Sequence, residues 1–102
     1  MEYNHEVIIC IVDSGFSDAV MESARKAGAT GGTILHARGT ANPEAEKFFE
    51  IAISSDKEIV MILVDSSIKA DVLNALYDDV GLQKDGKGIA FALPVSNVAG
   101  IK

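Results

Sequence analysis

The sequence has one cysteine, two prolines and no tryptophan among its 102 residues, and each shortage removes a class of protein. Cys10 alone cannot close an internal disulfide, so a stapled secreted scaffold is excluded and a reducing cytoplasm is the expected setting. Cationic side chains are also scarce. Nine Lys and Arg against fifteen Asp and Glu leave a net charge of -6, which argues against nucleic acid or an anionic membrane as the main partner. Aromatic residues make up 6% of the chain, and of these only Phe91 falls in an expected strand, whereas an RNA-binding sheet displays several. The longest apolar runs, "VIICIV" and "IVMILV", fall far short of the roughly 20 residues that span a bilayer, so no membrane insertion is expected. Glu2, His5 and Glu6 near the start do not fit a signal peptide. A chain that is 48% hydrophobic and 24% charged has the balance of a globular protein, and the length fits one domain over residues 1–102. A domain this small has a thin margin of burial, which association can widen.

What is present is one pattern written twice. "EVIICIVDSGFSDAVMESARKAG" from Glu6 and "EIVMILVDSSIKADVLNALYDDVG" from Glu58 both read Glu, an apolar run, Val-Asp-Ser, then a helical pattern ending at Gly. The runs are short and rich in Val and Ile, as buried strands are. Asp13-Ser14 and Asp65-Ser66 supply turn and capping residues. Phe16, Val20, Met21, Ala24 and Ala27 then recur at helical spacing, with Arg25 and Lys26 in the last turn and Gly28 beyond, a favourable helix end. Ile68, Val72, Leu73, Leu76 and Val80 repeat the pattern before Gly81. Each helix leads to a glycine-marked strand, Gly31 to Ala37 and Gly88 to Pro94.

Two such β-α-β units in tandem predict an α+β, ferredoxin-like βαββαβ fold, with a four-stranded antiparallel sheet and both helices on one face. The other face would then be bare. Its apolar residues predict a homo-oligomer packed through the sheet, and a lysine placed at Ile62 is expected to dissociate or unfold that assembly.

Residues 40–56 join the two units. Asn42-Pro43-Glu44 reads as a helix start, so Pro43 to Phe49 is expected as a short helix. Phe48, Phe49, Ile51 and Ile53 make the loop unusually apolar for a connection. They either fold back on the sheet or a neighbouring subunit, or form an arm that docks on a partner.

The succession of helix, "GATGGTILHARGT", long loop, "KEIVMILV", helix and "KDGKGIAFALPV" resembles the PII signal-transduction family (nitrogen regulatory protein P-II) and its PII-like relatives over nearly the whole chain. The resemblance implies a homotrimer that binds adenine nucleotides in clefts between subunits. It also implies a T-loop, here residues 40–56, that contacts a transporter or enzyme, with Phe48 and Phe49 as candidate contacts. Thr30, Gly31 and Thr33 match the stretch before the T-loop, Arg38-Gly39 matches its Lys-Gly, and Ala41 stands in place of a second glycine. Anchored on Leu93-Pro94-Val95, the segment Gly86-Lys87-Gly88 matches the family's Gly-Asp-Gly, and Ile89 takes the place of the phosphate-binding lysine. Gly100 and Lys102 stand where the family has two terminal arginines. The implied ligand set is therefore Thr33, Arg38, Gly39, Ile62, Val64, Gly86, Lys87, Gly88 and Lys102, with Arg38, Lys87 and Lys102 as its cations. No cofactor is required; the effector is expected to be AMP, ADP, ATP or a cyclic nucleotide. The loop lacks the tyrosine that is uridylylated in some PII proteins.

From the residues alone, the glycines at 86 and 88 read equally as a structural turn or as backbone donors for a phosphate. They are not a P-loop, because no Lys-Ser or Lys-Thr follows at the right spacing. His36 is a weak metal candidate, since a metal site needs several converging donors. Cys10 reads as a small buried strand residue. No Ser-His-Asp or Cys-His set can be assembled, so no enzyme is expected. The alternative to a nucleotide-responsive regulator is a trimeric metal-binding or structural protein of the same fold, similar to the divalent-cation-tolerance proteins.

Overall fold

The computed structural model describes residues 4–40, 56–84 and 87–100. Strand β1 (His5–Asp13) is followed by helix α1 (Ser17–Lys26), β2 (Thr33–Arg38), β3 (Asp56–Asp65), a 3-10 turn over Ser66–Ile68, helix α2 (Lys69–Asp79) and β4 (Gly88–Val95). The sheet runs β2-β3-β1-β4, and every neighbouring pair is antiparallel. This is the α+β, ferredoxin-like βαββαβ fold that the doubled pattern predicts. The short helix expected over Pro43 to Phe49 lies outside the described residues.

Period-2 alternation decides which residues meet the helices. Along β1, Glu6, Ile8, Cys10 and Val12 are buried while the residues between them are half-buried; along β3, Glu58, Val60, Ile62 and Val64 are buried and alternate with more exposed neighbours. Ile8 sits opposite Ile62 on one side and Ala92 on the other, so the small alanines of β4 lie on the helix side. Val20, Met21 and Ala24 of α1 and Val72 and Leu76 of α2 close this core. Burial of each large aliphatic side chain here contributes about 1.5 to 3 kcal/mol, an upper bound since the unfolded chain is itself partly collapsed. Ser23 Oγ donates to Asp79 Oδ2 at 2.9 Å and ties α1 to α2. Lys69, at the start of α2, pairs with Glu6 at 3.0 Å, which offsets a cation at the positive end of a helix.

The expectation that Ile62 lies on the bare face is corrected: it is fully buried under the helices. Register places Ile59, Met61 and Leu63 on the other face, beside Ile11, Ile9 and Val7 of β1 and Ile89, Phe91 and Leu93 of β4. These three apolar rows have no second layer over them within the described residues. Phe91, Leu93 and Ile89 are 39%, 47% and 57% exposed.

The helix ends follow the glycines, with Gly28 and Gly81 at positive φ. At the starts, the two halves differ. Asp65 accepts from Ser67 N at 2.9 Å and caps the second turn, whereas Asp13 pairs instead with Lys57 and α1 has no cap from its own N-cap side chain.

Candidate functional site

Two groups of residues at different places on the sheet correspond to the sequence-predicted ligand set. The first surrounds a hollow of about 670 Å³ where β2 begins. Gly32 runs so close to β3 that a Cβ there would meet Met61 O and Met21 Sδ, both at 2.9 Å. Pairing of β2 with β3 begins only at Thr33, opposite Met61, so the end of β3 from Leu63 to Asp65 extends past it. The hollow is lined by Thr30, Gly31, Gly32 and Thr33 and by the neighbouring strands, with Met61, Leu63 and Asp65 from β3 and His5 and Val7 from β1. Thr33 thus lines this hollow. Ile62 and Val64 do not, because both are buried on the helix side; their alternate neighbours Met61 and Leu63 take the lining positions.

The second group lies at the opposite end of the strands. Arg38 is paired in register with Asp56, and His36 with Glu58. Gly39 leaves room for the stem of Lys57, whose carbons would lie 3.0 and 3.2 Å from a Cβ at that position. The Lys57 ammonium pairs with Asp13 in the β1-α1 turn. That turn is tied to β3 twice more. Ser14 N donates to Asp56 O at 3.1 Å. Glu58 accepts from Gly15 N at 2.6 Å and from Ser17 Oγ at 3.2 Å. The Gly15 bond, foremost, with those of Ser17 and the nearby His36, holds the Glu58 carboxyl below its ordinary range, while partial burial opposes the shift.

Lys87 reaches the same turn from the far edge of the sheet, its Nζ 5.7 Å from the centroid of the Phe16 ring. Gly88 opens β4 at φ 141, where a Cβ would meet Ile11 O at 2.5 Å. Gly86, Lys102, Phe48 and Phe49 lie outside the described residues. His36 is exposed on β2, and among the described residues no group of three or more His, Cys, Asp and Glu could hold a metal ion.

Within one chain the two halves of the predicted ligand set do not meet. Arg38 and Gly39 lie at the end of one outer strand and Lys87 and Gly88 at the start of the other, with three strand spacings of about 4.8 Å between the edges, and Thr33 lies at the other end of β2 from Arg38. Sequence reasoning missed Glu58, Lys57 and Phe16. The signal for Glu58 was a carboxylate at the head of an apolar run in each half.

The structure matches, over 89% of this chain and 85% of the other, a PII-like signaling protein from Thermus thermophilus, at 18% identity and a TM-score of 0.67. It matches Arabidopsis thaliana PII bound to citrate over 98% of this chain and 82% of the other, at 22% identity and a TM-score of 0.74. The chain has the fold of the PII proteins. No family model matches the sequence, and no curated protein matches it. The likeness to PII proteins is thus one of architecture.

Proposed function

We propose that this chain is a non-enzymatic PII-like regulator of the cytoplasm. In this reading it forms a homotrimer, takes an adenine nucleotide in the clefts between subunits, and contacts a transporter or enzyme partner through the 40–56 loop. The observation that carries the reading is the placement of Thr33, Arg38 and Gly39 on one edge of the sheet and of Lys87 and Gly88 on the other. A cleft holding both needs a second copy. The bare apolar sheet face gives the copies a reason to associate, because burying it removes several large side chains from water.

The charges favour a small anion over a triphosphate. Ile89 and Gly100 stand where the PII pattern has cations, and each absent charge-assisted contact is worth about 1.5 to 3 kcal/mol. Arg38, Lys87 and Lys102 remain. We therefore expect AMP, ADP or a cyclic nucleotide to bind at least as well as ATP, with Lys87→Ala weakening whichever binds. Calorimetry tests this. ATP at low micromolar Kd with AMP and ADP far weaker would show the cation assignment to be wrong, and no binding by any of them would leave a structural or metal-binding trimer as the better reading.

A further inference from the structure

Phe16 differs from the other apolar residues of the first helical pattern. Val20, Met21 and Ala24 are buried, whereas Phe16 is 45% exposed. Its backbone is nevertheless pinned. Phe16 N donates to Asp13 O at 3.2 Å, and Phe16 O accepts from Val20 N at 3.1 Å. On either side, Gly15 N and Ser17 Oγ are both held by Glu58, and Ser14 N by Asp56 O. The turn that carries the ring is therefore fixed, and the ring, nearly half exposed, lies outside the buried core.

Lys87 lies over that ring, its ammonium 5.7 Å from the ring centroid, within the range of a cation-π contact. An unrestrained surface lysine samples many rotamers, and fixing it around an anion costs entropy. A ring that already holds the ammonium lowers that cost. The ammonium has three donors, and those turned away from the ring stay open to a ligand.

We propose that Phe16 is a positioning residue for Lys87: its ring holds the ammonium in place for a phosphate-bearing effector arriving beside Gly88. The inference rests on the effector reading above and adds to it a residue outside the predicted ligand set. Because the ring is carried by the turn tied to Asp56, Lys57 and Glu58, the anion subsite and the foot of the 40–56 loop are joined through five residues, Asp13 to Ser17.

The test uses the full chain with ADP and inorganic pyrophosphate as probes. Phe16→Leu is expected to weaken binding about two- to five-fold, the worth of an exposed cation-π contact, and Phe16→Tyr to restore it. Phe16→Leu combined with Lys87→Ala should bind no more weakly than Lys87→Ala alone, since the ring acts through the lysine. Without ligand, the Lys87 ε-protons should show an upfield ring-current shift in wild type and Phe16→Tyr that Phe16→Leu removes. Binding unaltered by Phe16→Leu, additive losses, or no ring-current shift each overturns the positioning role alone. Failure of wild type to bind either probe, or AMP, ATP or a cyclic nucleotide, overturns the effector reading together with it.

Discussion

Glu58 carries more of this molecule than its place at the head of an apolar run implies. It ties the start of α1 to β3 by accepting from Gly15 N and Ser17 Oγ, and those bonds favour its charged form. Its folded-state pKa is lowered from an ordinary value of 4.5, so its contribution is present above that value and is lost as pH falls through the lowered one. Glu58→Gln should lose less stability than wild type as pH falls below 4.5, read from denaturant unfolding at stepped pH; parallel acid limbs would contradict this. Cys10 is the opposite case. It is fully buried in β1, and burial pushes its thiol up to about 11, so the thiolate that reacts with alkylating agents is nearly absent at a pH of about 8. Its labelling by iodoacetamide should track global unfolding across a urea titration, and fast labelling of native protein would show the strand to open locally.

Among the elements, β4 depends most on a single position. Gly88 combines φ 141 with a Cβ position 2.5 Å from Ile11 O, so neither backbone can yield without breaking the β1-β4 pairing. Gly88→Ala should cost more than the roughly 1 to 3 kcal/mol of one strained residue, whereas Gly31→Ala, with open space around its Cβ position, should be nearly neutral in thermal melts. The helices and their ends were legible in the sequence because Val20, Met21, Ala24, Val72 and Leu76 recur at helical spacing and Gly28 and Gly81 close the pattern. The facing of β3 was not. "IVMILV" is apolar at every position, so period 2 leaves no mark, and Ile62 and Val64 were exchanged with Met61 and Leu63. Glu58 shares the buried parity, held there by Ser17 through a tertiary contact between residues 41 apart that the run itself does not encode. Phe16 fits the helical spacing too, yet its position before Ser17 turns it outward to meet Lys87, a contact that no local pattern encodes.

For the whole molecule, the two faces of one sheet predict different fates for adjacent residues. Ile62→Lys buries an unpaired charge beneath the helices and should unfold the chain, while Met61→Lys, on the bare face and 37% exposed, should leave each chain folded but dissociate the proposed trimer. Circular dichroism with sedimentation velocity separates these outcomes, and a folded Met61→Lys trimer would remove the sheet face from the interface. The central claim is that the effector site is shared between copies, and subunit mixing tests it most directly. Arg38→Ala and Lys87→Ala chains, refolded together and shown by mass spectrometry to have mixed, should recover ADP binding at about one quarter of the clefts, those in which both intact residues face one another around the ring. Mixed assemblies that bind no more ADP than either variant alone would place the site within a single chain and contradict the account.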